Sequence, residues 1–301
     1  MSIFLKRNLK LFFRDRGAVF FSLMAVFIIL ALYAVFLGNV WLPDSMQGLE
    51  NVSFLMNSWL MAGLIAVAST TTTMGAFGIL IDDRIKKIDK DFYSSPFKKS
   101  SLTKGYLGSA LLIGIIMSHV TFVVAEVYIV LKGGNWVNPG SALKIILLIF
   151  LSSMANTSLM CFIVSFFKSH HAFSTAGTVI GTLIGFLTGI YLPIGDLPAS
   201  VQLVIKVFPV SHAAALFRQV LMEDPMRITF HGIETKYLSE FKEYMGITYS
   251  FGGHVISPLT SILILIGTSV TFYYLSVLNL SRNSVKKSNN ILLPLKKMLN
   301  K

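Results

Sequence analysis

Cysteine is nearly missing from this chain: Cys161 is the single one, set inside an apolar run. A disulfide framework and a thiolate metal cluster both need more than one sulfur, so neither is available and Cys161 reads as packing. Charge is sparse too. Only 13% of the 301 residues are charged while 54% are hydrophobic, and the mean hydropathy is +0.69, a balance that excludes an ordinary soluble domain. Signatures of chemistry are also absent. No GxxxxGKS or GxxxxGKT loop occurs, so the chain cannot cradle ATP phosphates by itself. No HExxH, GxSxG or paired-carboxylate motif occurs either, which argues against a membrane-embedded enzyme. The net charge of +12 is split among short segments without an aromatic-basic stripe, so nucleic acid is not an expected partner.

What the chain does contain is long apolar runs. A helix needs about 20 residues to cross roughly 30 Å of hydrocarbon. Six segments qualify: 18–37, 55–81, 106–131, 142–167, 172–192 and 258–280. The first is too long for the apolar part of a signal peptide and reads as a retained span. The expected fold class is all-α: a polytopic membrane protein, one permease-sized domain over 1–301. Basic residues set its orientation, because they stay on the cytoplasmic side. Nineteen of the 26 Lys and Arg fall in 1–17, in the loop 82–104, at Lys168 or in the tail 281–301. Both termini are therefore expected in the cytoplasm of a cell (plasma) membrane, where the chain meets lipid.

Ahead of the first span, residues 2–16 put Lys6, Lys10 and Arg14 at i, i+4, i+8, with Leu5, Leu9, Phe12 and Phe13 on another face. That is an amphipathic interfacial helix. In the loop 82–104, Phe92 and Tyr93 precede a break at Pro96, and an exposed aromatic pair favours a protein contact. Residues 193–222 are apolar but broken by Pro193, Pro198 and Pro209, which no straight helix tolerates. They predict an extracellular re-entrant helix pair between spans five and six, followed by a polar segment 223–257. His231 and His254 in that segment lack a third ligand at metal spacing. Within the spans, His119 and Glu126 lie seven apart on nearly one helical face, and intramembrane ionisable groups are functional candidates. Hydroxyls at Ser69, Thr70, Thr72, Thr73, Thr178 and Thr182 suit either helix packing or a substrate path.

The chain resembles the permease subunits of ABC exporters of the second type, whose ATPase is a separate polypeptide. Two stretches carry the likeness. Asp83-Arg84 and Ser95-Pro96 keep the spacing of an acidic-Arg pair and a Ser-Pro, although Lys87-Ile88 stands where Gly-Thr is usual. Gly189, Tyr191, Pro193, Leu197-Pro198, Pro209, His212 and Arg218 follow the family's exit from span five. The resemblance implies that Asp83, Arg84, Phe92, Tyr93, Ser95 and Pro96 couple to the ATPase and that 189–218 forms an extracellular gate. It also implies two cytoplasmic ABC ATPase copies that bind ATP and Mg, a second permease copy or paralogue, and no cofactor on this chain. The expected cargo is an amphiphilic drug, antimicrobial peptide or lipid-like molecule, which suits 13 adaptable Met residues. Two alternatives stay open: an ion-coupled carrier or channel using His119 and Glu126, and an assembly or immunity factor without transport.

Overall fold

The computed structural model describes residues 2–33, 51–88 and 99–299. Helix α1 (Ser2–Arg14) carries the expected amphipathic pattern, and its apolar side buries Phe12. It ends at Asp15, whose carboxylate accepts from the Ala18 backbone N–H at 3.0 Å and so caps α2 (Arg16–Ser22). A break at Leu23 separates α2 from α3 (Met24–Leu32). Beside that break, the Ser22 hydroxyl donates to the Val19 carbonyl, a local bond that competes with helix continuation. The expected span 18–37 is thus two short helices over its described part, and 34–37 lie outside the described residues.

The centre of the bundle is α4 (Val52–Ala76), followed almost without a break by α5 (Gly78–Ile85). Together they form the apolar span Val52–Ile85, with 78% of its most apolar window buried. A helix apolar all round belongs inside, and α4 packs against α6 (Lys99–Leu131), α7 (Pro139–Ser165) and α10 (Pro209–Leu221). Asn138 caps α7 by accepting from the Ser141 backbone N–H at 2.8 Å, with Pro139 in the first turn where its missing N–H costs nothing. Helix α8 (His170–Leu187) starts at the Ser169 cap. It stops at Gly189, whose φ of +63° is left-handed. There Gly189 N–H bonds to Phe186 O and Ile190 N–H to Gly185 O, the paired closure of a Schellman end.

After α8 come a 3-10 turn (Ile194–Asp196), α9 (Ala199–Val207) and α10, the last two meeting at 85°. The bend has a covalent cause. Pro209 opens α10, and Phe208 before it is held extended at φ −78°, ψ 130°. The segment after α10 holds α11 (Glu223–Thr229), α12 (Thr235–Tyr244) and a hairpin of β1 (Ser250–Phe251) with β2 (His254–Val255). This small hairpin departs from the expected all-α reading; its turn residues Gly252 and Gly253 both have positive φ. Helix α13 (Pro258–Leu299) closes the chain along α7, where Ser276 donates to Ser158 O and Asn279 to Ser165 Oγ.

Among the described residues, four helices are long and apolar enough to cross a membrane: Val52–Ile85, Leu102–Leu131, Pro139–Ser165 and Pro258–Asn279. The bent pair α9–α10 makes a fifth if it is one crossing. The expected spans one and five are not in that set. The helix of span five runs over 18 residues, His170–Leu187: it begins two residues ahead of the expected start, on the polar His170 and His171, and the turn at Gly189 ends it early.

Candidate functional site

Three consecutive residues near the end of α5 tie one end of the bundle together. Asp83, only 3% exposed, takes a bidentate pair of bonds from Arg7 at 2.7 and 2.8 Å and a third from the Tyr106 hydroxyl at 2.7 Å. The bond to Asp83 raises the Arg7 pKa above its usual value, against the opposing effect of burial. Asp82 sits 2.5 Å from His170 at the start of α8, and Arg84 donates to the Phe167 carbonyl after α7 at 3.0 Å. Helix α1 is seated further by the buried bond from Asn8 to Ser109 (3.2 Å) and by Phe4, edge-on to Tyr106. Phe4 lies against Gly105, where an added Cβ would come within 2.4 Å of its ring.

Sequence reasoning placed Asp83 and Arg84 at a contact with a partner chain. Within this chain Asp83 is interior, bonded to Arg7 and Tyr106, and Arg84 donates to the Phe167 carbonyl after α7. Arg7, Asn8 and Tyr106 were missed, since nothing in the local pattern links a basic residue in 2–16 to an acid 76 positions later. Phe92, Tyr93, Ser95 and Pro96 lie outside the described residues.

At the other end, the stretch 189–218 converges on Arg218. Its guanidinium is fully buried 4.6 Å from the Trp59 ring centroid and donates to Gly189 O (3.3 Å) and Gly246 O (3.4 Å). Nε has no hydrogen-bond partner among the described residues. Trp59 in turn donates to the Met245 carbonyl at 2.8 Å. Arg218 thus joins α4, the Gly189 turn and the outer segment. His212, also fully buried, bridges the bend: Nε2 lies 2.9 Å from Lys206 O and Nδ1 3.0 Å from Ser261 Oγ. A carbonyl only accepts, so Nε2 carries the proton and Nδ1 accepts from Ser261. Tyr249 packs edge-on to His212 and donates to Ser211 O at 3.1 Å; burial pushes its phenol up to about 12. The ring of Tyr191 covers Gly185. Pro193 and Pro198 hold the chain extended on either side of the 3-10 turn, with Leu197 packed beneath. Trp59, Gly246 and Tyr249 escaped sequence reasoning; an apolar-run Trp and two loop residues carry no spacing signal.

The hydroxyl candidates divide. Ser69, Thr70, Thr72 and Thr73 are buried and bond back to carbonyls of their own helix. Ser69 also joins Ser152 (2.9 Å) and Asn156 (2.6 Å) of α7. In this conformation their hydroxyls bond within and between helices, the packing reading of the two. Thr178 and Thr182 do border a cavity of about 640 Å³ between α2, α3, α4 and α8, together with Thr71 and Tyr191. His119 and Glu126 do not meet. His119 Nδ1 sits 2.8 Å from Ile115 O in its own helix, while Glu126 accepts the Val137 backbone N–H at 2.9 Å and pins the 132–138 turn.

A family model described as ABC-2 type transporter matches residues 1–222 of the chain. No curated protein matches it.

Proposed function

Because the chain belongs to the ABC-2 type transporter family, we propose that it is the membrane-spanning subunit of an ATP-driven exporter, working with ATP and Mg held on separate cytoplasmic ABC ATPase subunits. The family makes it a multi-pass transport component without an ATPase site of its own. Two ATPase copies and a second permease copy or paralogue complete the assembly. Six crossings follow if α2–α3 and α8 each span the bilayer, which puts both termini on one side, the cytoplasmic one by the distribution of basic residues.

The observation that carries this reading is the Arg7–Asp83–Tyr106 clasp. It fixes the surface helix α1 to the inner ends of α5 and α6, so a push on α1 from closing ATPase subunits reaches α4 directly. Asp83 would act through Arg7, not by touching the ATPase. The Asp82–His170 and Arg84–Phe167 contacts extend the same push to α8 and α7. At the far end the Arg218 knot caps the route as an extracellular gate, and the 640 Å³ cavity beside Thr71, Thr178, Thr182 and Tyr191 is the proposed cargo path. Its mixed apolar and hydroxyl lining suits an amphiphilic drug, antimicrobial peptide or lipid-like molecule. The permease then needs no bond chemistry: nucleotide state shifts the populations of two arrangements.

The test is reconstitution. The chain alone should hydrolyse no ATP, and with its cognate ATPase it should show cargo-stimulated hydrolysis and efflux. Asp83→Asn should uncouple the two, keeping basal hydrolysis but losing stimulation; robust hydrolysis by the isolated chain would sink the reading. An ion-coupled carrier through His119 and Glu126 has little support from two residues each bonded elsewhere.

A further inference from the structure

A second cavity lies away from the proposed path. It has a volume of about 950 Å³ and opens between the outer ends of α7 and α13, the end of α10, and α11 and α12. Its lining is mixed. The exposed Lys144 and Arg227 and the half-buried Lys242 share it with one acid, Glu223, with the half-buried Leu148, Leu151 and Ile262, and with the exposed Leu147. From Lys144 to Leu151 is seven residues of one helix, about 10 Å at 1.5 Å per residue. The neighbouring outer faces of α7 and α13 are apolar and open: Leu147 is 63% exposed and Leu259 67%. A cleft that joins cations to half-buried apolar side chains and opens towards an apolar belt matches one occupant in charge and shape.

We propose that this cleft is a binding site for an anionic phospholipid of the outer leaflet, with the phosphate at the cations and an acyl chain against Leu147, Leu148 and Leu151. Charge complementarity selects the headgroup. Lys144 pairs loosely with Glu223 (3.6 Å) and Arg227 with Asp224 (2.9 Å), both pairs exposed and weak. Lys242 has no acidic partner among the described residues, so the cleft keeps net positive charge. Gln219 is already committed to the Ile247 carbonyl at 2.7 Å and braces the wall. The leaflet assignment rests on the orientation proposed above; the cleft itself does not. Lipid bound here would wedge α10 and α11 against α7 and α13 and thereby bias the Arg218 knot at the other face of α10.

The test uses the full-length chain in detergent micelles, titrated with dioleoylphosphatidylglycerol and, separately, dioleoylphosphatidylcholine, reading retained lipid by native mass spectrometry and the unfolding midpoint. Wild type should retain the glycerol lipid preferentially. Lys242→Gln and Lys144→Gln should each weaken that retention about five-fold, the effect of one cation near an anionic headgroup, with Lys132→Gln, outside the cleft, unchanged. Leu148→Trp, which fills the apolar part, should abolish it while leaving the cations intact. Equal retention of both lipids, or a Lys132→Gln effect matching Lys242→Gln, overturns the proposal. So does displacement by glycerol phosphate alone, which would mark a free-anion site. Failure here leaves ATPase coupling untouched, and failure of coupling leaves lipid retention untouched.

Discussion

Arg218 is an expensive residue. A buried cation with two long hydrogen bonds, an aromatic face and no acid within reach among the described residues recovers little of its desolvation cost. We therefore expect Arg218→Met, similar in length and apolar, to unfold at a midpoint no lower than wild type while losing gated transport. Arg218→Ala, which leaves a void and two carbonyls unpaired, should lose about 2–4 kcal/mol. Thermal scans of the purified chain separate the two, and a large loss in the Met variant would show that the guanidinium stabilises the cap. On the outer face, Tyr244 donates to Asp196 at 2.7 Å, and burial with the nearby carboxylate pushes its phenol up to about 12. A folded value above the ordinary 10 means this contribution is complete below pH 10 and fades as pH rises from about 10 to about 12. Tyr244→Phe should flatten that part of the stability profile; an unaltered profile would assign the alkaline loss to another group.

At the scale of elements, two contacts decide whether helices stay in place. Helix α1 rests on Gly105 and is locked by Arg7 to Asp83. Asp83→Asn removes the charge from a bidentate bond and should cost about 2 kcal/mol of docking. Gly105→Leu should unseat Phe4. Because Cys161 is buried, a cysteine introduced at Leu5 would be the one readily labelled thiol. Its labelling should speed up in both variants, and equal rates would mean that α1 is held by other contacts. The bend between α9 and α10 belongs to Pro209. Pro209→Ala frees Phe208 to become helical and should straighten the 85° angle, seen as a longer spin-label distance between positions 201 and 219. Much of this level was legible in the sequence. Prolines 193, 198 and 209 announced the broken segment, and the period of Leu5, Leu9 and Phe12 announced α1. The clasp was not legible, since the pairing of Arg7 with Asp83 depends on how α1 lies across α6.

For the whole molecule, the orientation proposed from the basic residues predicts that a cysteine at Lys132 labels from outside intact cells and one at Arg14 only after permeabilisation; the reverse result would invert the topology. Apolar content, the lone cysteine and the sparse charge determined that this is a helical multi-pass protein without disulfides, metal thiolates or its own nucleotide loop. These properties follow from composition and local spacing, which a linear chain carries in full. The roles of individual polar residues followed from neighbours instead. Four hydroxyls, suited by sequence to either packing or a path, bond along α4, and Ser69 also reaches α7, while His119 and Glu126 each have a backbone partner. Asp83 is interior, and Trp59, Gly246 and Tyr249 join the cap without any sequence signal. A buried polar group is governed by whichever donor or acceptor the fold brings within about 3 Å; for Asp83 and Arg218 those partners lie 76 and 28 residues away, where only packing selects them.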